Sequence, residues 1–557
     1  MDTLLEYFYH WENTRPDKIW LTQPMGEGKA KTWTWKEAGE EARLMAGHLK
    51  SMDLPDKSHI GICSKNCAWW ILADLAIWMA GHVSVPVHAV LTQETVRHTL
   101  DNSQVRLLFV GKLDPIWNEM KKGVPGDLPK IAFPISPEPS FKGWDEITGS
   151  AAPLTGRAQR SAREMASIVY TSGSTGKPKG AMISFNAMLQ APKRFADVLG
   201  VSREDRVISY MPLSHVYERL AVETISLFAG VSIWFSESLE TFVDDVKRAR
   251  PTFFFSVPRL WVKFQLGVFE KMPPHKLARL LKIPLIGGLV KKKILKGLGL
   301  ESVKYGISAG APLSAEILKC YRKLGVEILE VYSMTENFGL SHVTRPGQFK
   351  PGYVGTPHEG VEQRLSEQGE ILSKSPSNML GYYNNPQATK EVFTEDGFLR
   401  TGDLGIIDES GCLKVTGRTK EEFKTAKGKY ILPAHIEDLI IGHPDIEACM
   451  VSGSGQAQPY GLVLLSPNAR ESVNGGKKDQ IEKELTTHLN QINTTLPSHE
   501  KLAFFTVTPD DWTPENGLMT PTMKLKRGKL EDIYDSSVDD WYHRRTEVVW
   551  ADRIGAE

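Results

Sequence analysis

The residues best suited to chemistry form a run of hydroxyl and glycine side chains at 170–180, with the sequence Y-T-S-G-S-T-G-K-P-K-G. Apolar Ile168 and Val169 before it predict the end of a strand, after which small residues let backbone N–H groups and hydroxyls surround an anion. A Walker A loop is excluded, because that motif needs Ser or Thr after its lysine and Pro178 stands there. The run is therefore either a phosphate-binding loop of another kind or a flexible surface linker of similar composition.

Size and charge limit the classes of protein that this chain can belong to. Its 557 residues are too many for one ordinary core and predict about two to four domains. Lys plus Arg and Asp plus Glu number 67 each, so the chain lacks the basic excess of a nucleic-acid scaffold. The five cysteines are scattered without a zinc-ligand pattern, which is typical of a reducing compartment. We therefore expect a cytoplasmic protein that has no nucleic-acid partner.

Two apolar features bear on membrane targeting. Residues 1–25 carry charges throughout and lack an apolar core, so no signal peptide is expected. The most apolar segment, at 68–80, contains Asp74 and is too short to span a bilayer. It is predicted to be a buried helix.

The elements around the hydroxyl-rich run predict an α/β fold. Helical patterns alternate with short β-rich runs through residues 1–165 and again after the run, which is typical of β-α-β units and largely parallel sheets. Past Gly339 the strands become short, with Gly, Pro and Asn between them, which predicts a small β-barrel or a distorted antiparallel sheet. From Lys420 a compact α+β unit follows. We place the domain boundary near Arg418, with domains at 1–418 and 419–557.

Two strand ends are predicted to face the same crevice. The strands at 303–307 and 326–331 flank a helix that Ser314 would cap, and both run into unusual turns, S-A-G-A-P-L and Y-S-M-T-E. Ligands of open α/β sheets sit outside the carboxyl ends of the strands. These turns and the hydroxyl-rich run are therefore expected to lie around one ligand.

Further motifs stand in a fixed order after that run: Y-S-M-T-E at 332–336, T-G-D at 401–403, G-R-T-K-E at 417–421 and T-P-T-M-K-L-K-R at 520–527. Together they resemble the adenylate-forming superfamily of acyl-CoA synthetases, luciferases and adenylation domains, over nearly the whole chain. The runs M-P-L-S-H-V-Y-E-R at 211–219, F-S-V-P-R-L-W at 255–261 and F-K-T-A-K-G-K-Y at 423–430 are most similar to bacterial long-chain fatty acyl-CoA synthetases.

The resemblance implies a large N-terminal domain of two β-α-β sheets plus a small β-barrel, and a smaller, mobile C-terminal domain. It implies a ligase that activates a long-chain fatty acid as acyl-AMP, releases pyrophosphate and transfers the acyl group to CoA. ATP, Mg²⁺ and CoA would be required. The alternatives are a ligase for medium-chain or aryl acids, an acyl-AMP ligase that loads a carrier protein, and a non-catalytic nucleotide-binding regulator. The oligomeric state stays open, with a homodimer among the options.

The resemblance also implies a nucleotide site. Thr171 and Glu336 match the family's magnesium positions, and hard oxygen ligands suit that ion. Asp403 would accept hydrogen bonds from the ribose, with Arg418 on the same sugar or a phosphate; a turn aspartate and a surface arginine are the alternatives. The remaining nucleotide-binding positions are Ser172, Gly173, Ser174, Thr175, Gly176, Lys179, Gly310, Ala311, Pro312, Tyr332, Ser333, Met334, Thr335 and Lys524. Ser333 departs from the family pattern, which has glycine there.

The resemblance implies catalytic roles for Lys524, Glu336, Thr335 and His215. Lys524 would contact the substrate carboxylate and the α-phosphate, although its basic surroundings also fit a solvated face. His215 would lie near the acyl carboxylate, or is a packed histidine. Lys420 matches the family's hinge position between the two domains, and the loop at 426–429 would line the path of the thiol arm.

A basic and apolar segment at 271–300 has no acidic residue. It predicts either a solvated basic helix or a peripheral attachment to the inner face of an anionic membrane. Trp261 before it matches a position that could gate an acyl tunnel, or belongs to the core.

Overall fold

The computed structural model describes residues 1–171, 177–513, 516–520 and 524–552. The chain divides into two compact units, which are described separately. Unit 1 contains residues 1–363 and 372–400, and unit 2 contains residues 364–371 and 401–557. The domain boundary predicted near Arg418 marks the expected hinge between two domains, and it stays a prediction.

The largest sheet carries the predicted phosphate-loop strand near its centre. Its inner strands are parallel neighbours made of β-branched and apolar residues, which is typical of strands buried on both faces. In spatial order its strands are β19 (Gly381–Tyr382), β9 (Lys179–Ser184), β8 (Met165–Thr171), β4 (Val83–Val87), β3 (His59–Cys63), β5 (Val105–Val110), β6 (Lys130–Ala132) and β7 (Lys142–Gly143).

Two further sheets complete unit 1. One contains β10 (Arg206–Ser209), β11 (Ser232–Phe235), β1 (Ile19–Pro24) and β2 (Ala30–Thr34). The other contains β12 (Phe253–Ser256), β13 (Tyr305–Ala309), β14 (Glu327–Tyr332), β15 (His342–Val343) and β16 (Thr356–Pro357), of which β12, β13 and β14 are parallel. The α/β class with largely parallel sheets is confirmed.

The strands that were expected to form a small barrel or a distorted sheet form an open sheet. Its spatial order is β17 (Glu362–Leu365), β18 (Glu370–Lys374), β20 (Leu399–Ile407) and β21 (Leu413–Arg418), with antiparallel pairing and a bulge between β20 and β21. Of the two predicted alternatives, these strands therefore form the distorted sheet and not a closed barrel.

Unit 2 is α+β, as predicted. Its other strands are β22 (Phe423–Lys424) paired with β23 (Tyr430–Ile431), and β24 (Ile446–Ser452), β25 (Tyr460–Leu465), β26 (Phe505–Val507) and β27 (Val548–Trp550) in one mixed sheet. Its helices are α16 (Pro433–Ile440), α17 (Pro467–Ser472), α18 (Lys478–Thr495) and α19 (Arg527–Arg544).

The helices of unit 1 begin where the sequence offers caps. Ser184 and Ser314 accept hydrogen bonds from backbone N–H groups of the first turn, as predicted. Thr34 forms a capping box with Glu37. The helices are α1 (Leu4–Thr14), α2 (Trp35–Ser51), α3 (Ala68–Met79), α4 (Gln93–Ser103), α5 (Trp117–Met120), α6 (Trp144–Thr148), α7 (Phe185–Leu199), α8 (Val216–Glu218), α9 (Ile225–Ala229), α10 (Phe242–Ala249), α11 (Pro258–Lys271), α12 (Pro274–Leu281), α13 (Ile286–Leu298), α14 (Ala315–Leu324) and α15 (Pro386–Val392).

Helix α3 lies at the centre of the unit 1 core and is buried along its whole length, as predicted. Its one charged residue, Asp74, pairs with Arg219, and the Arg219 Nε atom lies 2.8 Å from Glu223 Oε2. Because all three side chains are fully buried, removing one partner would leave an uncompensated charge. Among the helices that the structure describes, none has both the length and the apolar content needed to cross a bilayer.

Candidate functional site

The ends of β8 and β9 hold Thr171 and Lys179, two of the predicted nucleotide-binding residues. Thr171 pairs with Lys179 across the strands, and the Thr171 hydroxyl donates to the Lys179 carbonyl at 3.5 Å. The other predicted loop positions, Ser172, Gly173, Ser174, Thr175 and Gly176, lie outside the described residues. The strand end predicted before the loop is therefore confirmed at β8, whereas β9 after the loop was not predicted from the sequence.

Glu336 is held in a buried position by contacts that the sequence analysis did not identify. Its carboxylate accepts a hydrogen bond from Tyr382 Oη at 2.6 Å, and its backbone carbonyl accepts one from the Met379 N–H at 2.7 Å. Burial, and then the adjacent Glu336 carboxylate, raise the pKa of the Tyr382 phenol. Tyr382 is therefore a permanent donor to the carboxylate.

Lys179 contacts the Tyr382 ring of this cluster. Its Nζ atom lies 5.2 Å from the centroid of the Tyr382 ring, a distance typical of a cation–π contact. Thr171, Lys179, Tyr382 and Glu336 thus form one connected group in unit 1. Thr335 opens the single 3-10 turn that carries Glu336, and the Asn337 side chain accepts from the Met334 N–H at 3.1 Å to close that turn.

The predicted adenine positions come together through strand register. Ala309 pairs with Val331 in the parallel β13–β14 ladder, so Gly310, which follows β13, lies beside Tyr332, the last residue of β14. Gly310 has φ +91°, which favours glycine, and a Cβ placed on it would meet open space. Gly310, Ala311 and Pro312 are exposed, while Ser333 and Met334 are half-buried beyond Tyr332. A flat base could approach this backbone closely.

His215 caps the short helix α8, and its ring orientation is fixed by that role. The ring Nδ1 atom accepts a hydrogen bond from the Tyr217 N–H at 3.2 Å. Because Nδ1 accepts, the proton of the neutral ring lies on Nε2. Before His215 in the chain, the Ser214 hydroxyl lies 2.7 Å from Nδ1 of buried His88, and burial lowers the pKa of His88 to about 4.

A buried carboxyl group holds the turn that carries His215. Glu218 Oε1 accepts from Asn66 Nδ2 at 3.0 Å, from Ser209 Oγ at 2.9 Å and from the Tyr210 N–H at 2.9 Å. Burial raises the pKa of Glu218 to about 8. This network ties the turn to the end of β10 and to the loop before α3.

In unit 2, Asp403 and Arg418 are partners of each other. They pair across β20 and β21, with Arg418 Nε 2.9 Å from Asp403 Oδ1. Asp403 is nearly buried and Arg418 is half exposed. The sequence predicted Asp403 on the ribose and Arg418 on the same sugar or a phosphate, and these roles stay predictions; in the structure the guanidinium contacts the carboxylate.

Lys524 belongs to unit 2. Its backbone N–H donates to Thr520 Oγ1 at 3.1 Å, and its carbonyl accepts from the Thr520 N–H at 2.8 Å. The residue is exposed. Helix α19 follows, and its first residue, Arg527, binds the Glu437 carboxylate at 2.5 Å and so fixes the start of the helix.

The residues of unit 1 fit a magnesium ion better than a transition metal. Glu336 and Thr171 offer hard oxygen atoms, and no group of three or more His, Cys, Asp or Glu side chains in the described part of the chain could enclose a metal. Magnesium binds through one or two carboxylates together with water and substrate phosphates. The donor set therefore suits an ion that arrives with a nucleotide.

Sequence reasoning missed Tyr382, His88 and Glu218. Tyr382 is 46 residues from Glu336 and reaches it only through the position of β19 at the sheet edge. The signal available for Glu218 was its place in the M-P-L-S-H-V-Y-E-R run, where an acidic residue follows apolar ones. His88 had no signal beyond its position after β4.

The chain matches the AMP-binding enzyme family over residues 8–383 and the AMP-binding enzyme C-terminal domain over residues 422–546. It is 28% identical to the long-chain-fatty-acid–CoA ligase FadD15 of Mycobacterium bovis, over 98% of this chain and 97% of that protein. It is 27% identical to the human long-chain-fatty-acid–CoA ligase 1, over 91% of this chain and 82% of that protein.

The fold is shared with solved structures of low sequence identity. The adenylation domain of the carboxylic acid reductase from Segniliparus rugosus, solved with AMP and a co-purified carboxylic acid, matches with a TM-score of 0.80 at 20% identity, over 97% of this chain and 94% of that chain. The anthranilate CoA ligase AuaEII matches with a TM-score of 0.77 at 19% identity, over 95% of this chain and 96% of that chain. With both family domains matched in order along one chain, the protein belongs to the AMP-binding enzyme family.

Proposed function

We propose that this protein is an AMP-forming ligase that converts a long-chain fatty acid into acyl-AMP and pyrophosphate, and then into acyl-CoA and AMP. The observation that carries the proposal is the connected group of Thr171, Lys179, Tyr382 and Glu336, in which Tyr382 hydrogen-bonds a buried carboxylate and lies beside Lys179 of a phosphate-loop strand. The similarity to long-chain-fatty-acid–CoA ligases over nearly the whole chain supports the choice of substrate.

The reaction needs the chain to stabilise negative charge. A carboxylate is a poor electrophile, so one of its oxygens must first become part of a leaving group, which attack on the α-phosphate of ATP achieves. Preorganised donors and cations in a site that excludes water stabilise the charge that develops there. Lys179 lies beside the loop that would hold the β- and γ-phosphates, and Lys524 would supply a mobile positive charge to the α-phosphate.

The remaining residues bind and orient the substrates. His215 would donate its Nε2 proton to the acyl carboxylate, because Nδ1 is already engaged by the Tyr217 N–H. Asp403, already oriented by Arg418, would accept hydrogen bonds from the ribose. Glu336 and Thr171 would hold Mg²⁺, which neutralises phosphate charge when bound. Gly310, Ala311, Pro312 and Tyr332 would enclose the adenine.

The second step uses unit 2. Lys420 is proposed as the hinge residue, and the loop at 426–429 as the wall of the path for the CoA thiol arm. That loop is anchored by the Ala426 N–H, which donates to the Gln456 carbonyl at 2.8 Å, and Gly428 has φ +74°. A glycine backbone lets a thin substrate arm pass close to the chain.

A pyrophosphate-exchange assay with palmitate, with and without CoA, tests the proposal. Exchange that requires palmitate, together with AMP and palmitoyl-CoA formation when CoA is added, is expected. Lys524→Ala should reduce exchange by at least about a hundredfold if the lysine contacts the reacting phosphate. Lys529→Ala, in the same basic cluster, is the control and should leave exchange unchanged.

Other outcomes select the alternatives. Exchange with decanoate or benzoate but not with palmitate would indicate a medium-chain or aryl acid ligase. Exchange with palmitate but no CoA product would indicate an enzyme that loads a carrier protein. If no carboxylic acid supports exchange while ATP still binds, the chain is a nucleotide-binding regulator and the proposal fails.

We also propose that the protein associates peripherally with the inner face of the membrane, where fatty acids partition. The basic segment at 271–300 supports this proposal, because cations attract anionic headgroups.

A further inference from the structure

The hairpin formed by α12 and α13 exposes an unusual amount of apolar surface. Within these two helices only Leu277 and Gly287 are buried. At the connection between the helices and on the first turns of α13, apolar side chains point into solvent: Ile283, Leu285, Ile286 and Leu289 are 43%, 88%, 44% and 69% exposed. Contiguous exposed apolar residues on a folded protein indicate a contact surface.

The backbone of the turn between α12 and α13 is strained at Leu285, whose side chain is exposed to solvent. Leu285 has φ +66° and ψ −50°, and the Ile286 N–H donates to the Pro284 carbonyl at 2.8 Å, which together define a γ-turn. A positive φ at a bulky residue is rare and strains the backbone. Leu285 recovers none of this through packing, because it is almost fully exposed. Such strain is typical of functional sites.

Charge around the turn has one sign. Residues 271–300 contain no Asp or Glu, although the whole chain carries 67 acidic and 67 basic residues. The basic residues of the segment are Lys271, Lys276, Arg279, Lys282, Lys291, Lys292, Lys293 and Lys296. A solvated helix would account for these lysines but not for the exposed leucines beside them. An apolar tip surrounded by cations is complementary to an anionic membrane surface. The cations would contact the anionic headgroups, and the apolar side chains would enter the hydrocarbon beneath them.

We propose that the α12–α13 turn inserts Leu285 and Leu289 into the interface of an anionic bilayer while the flanking lysines contact lipid phosphates. This inference rests on the proposed function, because a membrane is the phase that holds a long-chain acid. The partner is a lipid surface and not a second protein copy, since a self-complementary interface would bring the same cations against each other.

Co-sedimentation with phosphatidylglycerol-containing vesicles, compared with neutral phosphatidylcholine vesicles, tests the proposal. The parent protein should bind the anionic vesicles, and less so at high salt. The Leu285→Asn/Leu289→Asn variant should lower the partition coefficient by about tenfold or more. The Lys292→Gln/Lys293→Gln variant should lower it by about 30-fold on anionic vesicles alone.

Matched controls separate local from general effects. Leu239→Asn removes a leucine that is 86% exposed but lies between Glu237 and Glu240, and Lys477→Gln/Lys478→Gln removes two exposed lysines of unit 2. Both controls should bind as the parent does, and all variants should keep the parent's melting temperature.

Several outcomes overturn the inference. It fails if the parent does not bind anionic vesicles, or if the turn variants bind as well as the parent. It also fails if those variants bind vesicles as the parent does but change the sedimentation coefficient of the free protein. The turn would then be an interface between two copies of the chain. Vesicle binding does not depend on turnover, so a protein that binds vesicles but lacks pyrophosphate exchange would refute the proposed function and leave this surface standing.

Discussion

Among the described residues, the side chain that hydrogen-bonds to the Glu336 carboxylate is Tyr382. The residue lies on one 3-10 turn, and such a short element does not hold a side chain in place by itself. Tyr382 Oη donates to it at 2.6 Å from β19, a different part of the chain. A hydrogen bond to a charged acceptor contributes about 1.5–3 kcal/mol. Tyr382 is therefore a positioning residue for the proposed magnesium ligand.

We expect Tyr382→Phe to raise the Mg²⁺ concentration needed for half-maximal pyrophosphate exchange by about tenfold or more, because Glu336 loses its orienting donor. Titration of exchange activity with Mg²⁺ measures this. Tyr383→Phe is the matched control, since the Tyr383 hydroxyl donates to Gln104 Oε1 at 2.9 Å and not to Glu336. Equal Mg²⁺ dependence in the two variants would contradict the positioning role.

At the scale of elements, the turn that presents His215 is anchored by one buried acid. Burial raises the pKa of Glu218 to about 8, from an ordinary value of 4.5. Between these pH values the folded carboxyl group keeps its proton while the unfolded one loses it. The folded state then binds more protons at this group, so the contribution of Glu218 to the free energy of unfolding falls as pH rises from 4.5 to 8 and is constant outside that window.

We expect Glu218→Gln to remove this part of the pH dependence, by a few kcal/mol across the window, because an amide does not titrate there while its oxygen can still accept the same hydrogen bonds. Urea unfolding of parent and variant between pH 5 and pH 8.5 gives the difference. Glu316→Gln changes an exposed acid on α14 and is the control. A constant difference between parent and Glu218→Gln across the pH range would contradict the assignment.

At the scale of the whole molecule, the two units have separate hydrophobic cores. Leu75 belongs to the core around α3 in unit 1, and Leu485 to a core formed by unit 2 residues. Both leucines are fully buried. Loss of a buried leucine side chain leaves a cavity and lowers stability by about 2–5 kcal/mol.

Each core substitution should therefore destabilise its own unit. Leu485→Ala is expected to speed amide hydrogen exchange in residues 401–552 and leave residues 1–363 unchanged, and Leu75→Ala is expected to do the reverse. Hydrogen exchange resolved by mass spectrometry measures both. Faster exchange in both units from either substitution would show that the units unfold together.

Local patterns in the sequence were sufficient for many of the elements and for the family, although β1, β2 and β9 were not predicted. The helix caps at Ser184 and Ser314, the buried helix at 68–80 and the parallel strands were predicted correctly, because capping, periodicity and burial act over a few neighbouring residues. The motifs also predict Glu336 and Lys179 as site residues, because residue type and order along the chain carry that information, and these roles stay predictions.

Contacts between distant segments were decided by the tertiary structure alone. The hydrogen bond from Tyr382 to Glu336, the pairing of Asp403 with Arg418 and the burial of Glu218 depend on strand register and on which segments the sheets bring together. The exposure of Leu285 is of the same kind, because a leucine in a helical pattern is normally expected to be buried. No local pattern encodes these distances, since they arise only when the whole chain packs.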